Sequence, residues 1–166
     1  MSELPAFRPA DLLRALLDGG VRFVVIGGLA AQAHGSPSVT VDLDVCYERS
    51  KENLERLAVV LGELAAVRRG DPALARLPLD ARALRAGDVF TLATRHGNLD
   101  LLGNPDPGVP YEALAHNAVA VEVEGQRVLV AGLDDLIAMK RAAGRPKDRI
   151  ELEVLGALRE EIDRGG

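Results

Sequence analysis

The chain has 166 residues, 48% hydrophobic and 27% charged, the composition of one ordinary globular domain; at this length roughly 70% of the unfolded surface can be hidden without staples. A formal net charge of -5 argues against nonspecific nucleic-acid binding over the whole surface, and 3% aromatic content with no Trp argues against a base-stacking platform. One cysteine, Cys46, and three scattered histidines, His34, His96 and His116, exclude an internal disulfide and a Cys-rich zinc site.

The first segment, MSELPAFRPADLLRALLDGG, carries acids and prolines and lacks a basic start with an apolar run, so it does not read as a signal peptide. No run of about 18 apolar residues occurs, so no membrane partner is expected and the expected location is cytoplasmic. The first helix is expected over Pro9–Asp18, with Leu12, Leu13, Leu16 and Leu17 as its apolar stripe and Gly19-Gly20 as its stop. Val21–Ile26 is almost wholly apolar and suits a buried central strand, ended by Gly27-Gly28. Leu29–His34 reads as a short Ala-rich helix closed by Gly35 and Pro37.

Thr40–Tyr47 alternates, with Val41, Leu43 and Val45 on one face and Thr40, Asp42, Asp44 and Cys46 on the other. Ser50 caps a helix with a stripe at Leu54, Leu57, Leu61 and Leu64. Residues 67–87, punctuated by Arg and Pro, give no clear period beyond a short helix near Asp80–Arg85. Two hairpins follow: Val89–Thr94 with Asn98–Leu102 around His96-Gly97, and Val119–Val123 with Arg127–Val130 around Glu124-Gly125. Between them GNPDPGVP is a loop, followed by a helical turn near Tyr111–Ala115. Helices are expected over Leu133–Ala142 and, after a break at Gly144, over Pro146–Ile162, with a frayed tail from Asp163.

Asp42 and Asp44 sit two residues apart on a strand, on one face, about 6.6–7 Å apart at the backbone. Like charges at that range repel, and Asp is disfavoured in strands, so the pair makes sense around a divalent cation; a solvated acidic edge is the alternative reading. Asp100, alternating with Leu99 and Leu101, offers a third carboxylate on a second strand, its alternative role being a cap or turn. Gly27-Gly28, between strand and helix, lets an anion approach backbone N–H groups. Lys140 falls in register with Leu133, Leu136 and Ile137, which lays its stem along the buried stripe. It opens the stretch from Lys140 to Arg149, which holds five basic residues and one acid; a solvated basic helix end is the alternative there. His34 reads as a helix-end residue and Cys46 as packing.

The order strand, Gly-Gly, short helix, Asp-x-Asp strand, single-Asp strand resembles the DNA polymerase beta-like nucleotidyltransferase superfamily. Val25 to Ala30, Thr40 to Val45 and Leu99 to Leu101 carry the likeness. Gly27-Gly28-Leu29-Ala30, His34-Gly35, Thr40 to Asp44, Leu136 to Ala142 and Gly144 to Asp148 look most like small bacterial members related to the toxins of type IV abortive-infection toxin–antitoxin systems. The resemblance covers residues 20–157. Two departures stand out: many members have Gly-Ser where this chain has Gly27-Gly28, and relatives often carry Arg shortly before the Asp pair, where this chain has Pro37-Ser38-Val39.

The resemblance implies a single α/β domain over residues 1–166, a minimal nucleotidyltransferase fold with a mixed sheet of five or six strands and helices packed on it. It implies Mg²⁺-dependent transfer of a nucleoside monophosphate from an NTP to an acceptor hydroxyl on RNA such as a tRNA end, on protein or on a small molecule. Asp42 and Asp44 would hold two Mg²⁺, with Mn²⁺ as a substitute, and Asp100 would bind the metal that activates the hydroxyl or accept its proton. Gly27, Gly28, Lys140, Arg145 and Lys147 would hold the nucleotide phosphates. An antitoxin partner, and a monomer or dimer, are compatible with this. A non-catalytic NTP-binding or partner-binding relative is the second reading.

Overall fold

The computed structural model describes residues 5–104 and 109–165. Its elements in chain order are α1 (Pro9–Asp18), β1 (Phe23–Ile26), α2 (Gly27–Ala33), β2 (Asp42–Tyr47), α3 (Lys51–Glu63), β3 (Val67–Arg68), a 3-10 turn (Leu74–Arg76), α4 (Ala81–Ala86), β4 (Val89–Thr94), β5 (Gly97–Leu102), α5 (Tyr111–Asn117), β6 (Val119–Val123), β7 (Gln126–Val130), α6 (Leu133–Ala143) and α7 (Pro146–Gly165). The strands form one mixed sheet in the order β3-β4-β5-β2-β1-β7-β6. β2 lies antiparallel to β1 and parallel to β5, and β1 runs parallel to β7.

Alternation along β2 and β5 divides the sheet into two faces. Leu43, Val45, Leu99 and Leu101 point into the core and are at most 1% exposed. On that side α1, α3 and α4 pack together, and the Tyr47 hydroxyl donates to Leu84 O of α4 at 3.0 Å. Asp42, Asp44, Asn98 and Asp100 lie on the opposite face, which α2 and α6 cover only in part. Beyond β5 that face continues over β4 and β3, where Val89 and Val67 are exposed and the Arg69 side chain reaches across to Asp100.

Seven strands replace the expected five or six. The addition is β3, two residues inside the stretch that shows no period; a strand that short has no room for alternation. β1 begins at Phe23 rather than Val21, because the Asn53 side chain takes the backbone N–H of Arg22 at 2.7 Å and also donates to its carbonyl at 3.1 Å. β2 begins at Asp42 rather than Thr40, whose hydroxyl instead donates to Asp42 O in a local turn. Gly27 and Gly28 form the first turn of α2 rather than a linker before it. β5 starts at Gly97 and β7 at Gln126, so both hairpin turns are tighter than expected. Glu124 and Gly125 both have positive φ, 51° and 80°, as a two-residue hairpin turn requires. α5 and α6 extend to Asn117 and Ala143, and α7 continues to Gly165 where fraying was expected. Leu17, expected in the α1 stripe, is 37% exposed, whereas Leu12, Leu13 and Leu16 are fully buried. Part of the expected GNPDPGVP loop, residues 105–108, lies outside the described residues. None of the described helices is long and apolar enough to cross a membrane.

Asn53 is the polar pin of this arrangement. Only 3% exposed, it ties α3 to the entry of β1 and, through Glu48 O at 2.7 Å, to the exit of β2. Asn53→Ala leaves the Arg22 N–H and Glu48 O without their side-chain partner, while Arg22 O keeps the Glu48 N–H at 3.2 Å, and is expected to lower stability by about 2–4 kcal/mol; urea unfolding checks this, and a loss under about 0.5 kcal/mol would contradict it.

Candidate active site

The parallel pairing of β2 with β5 sets Asp44 opposite Asp100 and Asp42 opposite Asn98. Asn98 Nδ2 donates to Asp42 Oδ1 at 3.1 Å. Burial pushes the Asp44 carboxyl up to about 7, helped by the charge of and hydrogen bonding with Asp100 and by the charge of Asp42, while Lys140 pulls the other way. Two carboxylates so placed are stable together only with a shared proton or a cation.

Around this pair the backbone is cut to fit. Gly27 has φ +68, and a Cβ there would stand 2.1 Å from Asp44 Oδ2. A Cβ on Gly28 would stand 2.7 Å from Thr40 Cβ and 2.8 Å from its Oγ1, so the threonine fills the space that a side chain at position 28 would need. Gly27 is therefore shaped by β2 and Gly28 by the turn that leads into it.

Lys140, Arg145 and Lys147 border the same cavity as Gly27, Asp42, Asp44 and Asp100, a space of about 400 Å³. A smaller space of about 280 Å³ adjoins it behind the turn, reaching Gly28, Ser38 and Thr40. The eight residues singled out in the sequence thus converge on one cleft. His34 does not join them: its Nε2 pairs with Ala131 O at 2.9 Å, at the end of α2. Cys46 is fully buried, and burial pushes its thiol up to about 12, so it packs and does not react.

Two residues that pair with side chains of the cleft escape a reading of the sequence. Asp148 counts there as the lone acid in a basic run, yet its side chain is 1% exposed and serves as the hub of the α6–α7 corner. It accepts from Arg145 Nε at 2.8 Å and from the Arg145 backbone N at 3.1 Å, with Lys140 Nζ 3.4 Å away. Its hydrogen bonds with Arg145, then the charge of Lys140, hold it below the usual carboxylate range. Its position in the first turn of α7, three residues after an Arg, is the signal that could have found it. Arg69, directly after β3, stands with Nη1 2.9 Å from Asp100 Oδ1 and donates from the same nitrogen to Leu92 O at 2.8 Å. No sequence pattern marks it.

The donor set suits a divalent cation. All three carboxylates are hard oxygen ligands of the kind magnesium takes. Asp100 Oδ1 is buried and makes no aligned hydrogen bond, despite the nearby guanidinium. Gly27 keeps the space beside Asp44 clear. Among the described residues no three acidic, His or Cys groups already close on one point, so the patch supplies ligands without a finished cage, as suits an ion that also takes phosphate oxygens and water.

No protein-family model matches the chain, and no curated protein sequence matches it. Solved structures do. A candidate nucleotidyltransferase of Thermotoga maritima, TM1012, superposes with a TM-score of 0.54 at 18% identity over 96% of this chain and 97% of its own. The antibiotic-resistance factor ANT(2'')-Ia in solution gives 0.56 at 13% identity, covering 94% of this chain and 89% of its own. Its crystal structure with adenylyl-2''-tobramycin gives 0.56 at 15%, covering 93% and 96%. This chain has the fold of these nucleotidyltransferase structures.

Two outcomes are expected. Because the Asp44 carboxyl is raised in the fold, its stabilising contribution is complete below about pH 4 and is lost as the pH rises through about 7. Without divalent cations, Asp44→Asn should therefore be more stable than the parent at pH 8, by about 1–4 kcal/mol, and equal to it near pH 4; thermal melts across that range in a chelator decide it. Asp148→Asn should cost about 1–3 kcal/mol by weakening charged hydrogen bonds, with the difference from the parent shrinking as the pH falls below 4 and the parent carboxylate itself protonates.

Proposed function

We propose that the chain is a Mg²⁺-dependent nucleotidyltransferase that moves a nucleoside monophosphate from an NTP to an acceptor hydroxyl. The observation that carries this is the facing of Asp44 and Asp100 across β2 and β5, with Asp42 beside them and three cations on the opposite wall of one cleft. The fold shared with nucleotidyltransferase structures supports it.

In this reading Asp42, Asp44 and Asp100 hold the divalent cations, two once the nucleotide is in place, with Mn²⁺ able to substitute. Bound there, the metal would neutralise phosphate charge and lower the pKa of the attacking hydroxyl. The chain's own groups do the rest. Lys140 presents its ammonium to the phosphates from α6, its stem laid along buried apolar surface. Asp148 holds Lys140 and Arg145 in one orientation, so their charges are placed before substrate arrives, which is the preorganisation that electrostatic catalysis needs. Lys147 faces both parts of the cleft. The glycine turn lets phosphate approach the backbone of Gly27 and Gly28. Asp100, on the β4 side of the cleft, would hold the metal that activates the acceptor hydroxyl or accept its proton.

The acceptor is a hydroxyl on RNA such as a tRNA end, on protein or on a small molecule, and the resemblance to toxin–antitoxin nucleotidyltransferases adds an antitoxin partner and a cytoplasmic setting to the proposal. A second reading, an NTP-binding or partner-binding relative without turnover, draws support from Gly28, which brings no hydroxyl to the phosphates.

With α-labelled NTP, Mg²⁺ and a panel of RNA, protein and small-molecule acceptors, label transfer is expected, and Asp42→Asn/Asp44→Asn should cut it by about 10³-fold or more. Undiminished transfer in the double variant would refute the assignment. A rise in melting temperature with Mg²⁺ and NTP, but no transfer to any acceptor, would select the second reading.

A further inference from the structure

Arg69 lies outside every motif of the sequence, yet it makes the closest contact of any cation with the carboxylate patch. Its placement is fixed from two directions. Its backbone N–H donates to Thr91 O at 2.8 Å, extending the pairing of β3 with β4, and Thr91 in turn pairs with Asp100. From there the side chain crosses β4 toward β5. Strands lie about 4.8 Å apart, so the span from Arg69 to Asp100 is two strand spacings, or about 10 Å, the reach of an extended Arg meeting an Asp side chain. The guanidinium is then anchored by Leu92 O and is 28% exposed.

The contact is an unusual one. Nη1 aims its N–H at Leu92 O and only its charge at Asp100 Oδ1, which lies 2.9 Å away, buried and without an aligned hydrogen bond. Arg stays charged at any pH the protein will meet. Asp100 thus faces a permanent cation that neutralises it without using its lone pair. A divalent ion offers that oxygen a doubly charged partner and a true coordinate bond, but its arrival puts a third positive charge at the same atom.

We propose that Arg69 is a positioning residue for Asp100, a tethered counter-ion that fixes the carboxylate and competes with a divalent cation for Oδ1. In the absence of nucleotide the patch then holds one such ion firmly, through Asp42 and Asp44, and the ion at Asp100 settles only when phosphate oxygens join its ligands. The inference rests on the reading of these carboxylates as a cation site. It also accounts for the lack of a finished three-carboxylate cage among the described residues.

The test is Mn²⁺ binding to nucleotide-free protein, followed by electron paramagnetic resonance. Arg69→Gln removes the charge and keeps a polar side chain that is too short to touch Asp100. It should bind Mn²⁺ at least threefold more tightly than the parent, or show a second ion where the parent shows one. Unchanged or weaker binding would overturn the proposal. Should Arg69→Gln fail to fold, Arg69→Met carries the test, because it removes the charge and keeps an unbranched stem; about twofold tighter binding is expected, and none would count against the idea. In turnover, Arg69→Gln should lower kcat at least tenfold with the NTP KM within threefold, whereas loss of a merely structural edge clamp would not tighten Mn²⁺ binding. Failure of both proteins to bind Mn²⁺ would sink the cation-site reading along with this one. Tight binding in the parent with no change in Arg69→Gln would sink this one alone.

Discussion

Everything in the cleft depends on the in-register parallel pairing of β2 with β5. It sets carboxylates side by side on a sheet whose other face is sealed by Leu43, Val45, Leu99 and Leu101. Because side chains alternate with a period of two, a slip of one residue would drive Asp44 or Asp100 into the core and bring leucines to the cleft. Burying these leucines, each worth about 1.5–3 kcal/mol, therefore selects the same register that brings the acids together. The cost of crowding the acids is carried by the apolar side of the same strands.

That crowding shapes the surroundings in turn. Gly27 lacks a side chain because Asp44 occupies the space, and Gly28 because Thr40 does. The departure from Gly-Ser at position 28 has a steric side: Thr40, in the turn that leads into the Asp-bearing strand, already fills the space with a hydroxyl-bearing side chain. Positive charge approaches from two sides, Lys140, Arg145 and Lys147 from the helical corner and Arg69 from the sheet edge. The corner cations line the cavity without a direct ion pair to the acid patch, although the charge of Lys140 reaches Asp44. Arg69 touches Asp100 directly.

Much of this was legible in the sequence because it follows local periodicity. The alternation around Asp42 and Asp44, the same pattern at Asp100, the Gly-Gly step between strand and helix and the register of Lys140 with Leu133 and Leu136 each placed a residue on the correct face. What escaped depends on contacts distant in sequence or on elements too short to have a period. β3 spans two residues and Arg69 follows it, so neither leaves a pattern. Asp148 was hidden by arithmetic: summing a basic run treats an acid within it as one charge cancelled, whereas in the fold it is the buried centre that the bases are arranged around.

The two walls of the cleft differ in how far along the chain their partners lie. Arg145 and Asp148 are three residues apart and Lys140 and Asp148 eight, in a corner closed by Gly144 in the left-handed conformation. Asp42 and Asn98 are fifty-six residues apart and meet only when the sheet has formed. Loop closure makes contacts of the first kind fast and those of the second slow. The cation wall is thus local enough to organise on the scale of a helical hairpin, and the carboxylate wall waits for the global topology. A chain caught part-way would carry the cation wall without the carboxylates facing it, so on the proposed reading anion binding could precede, and activity would have to await, the completed sheet.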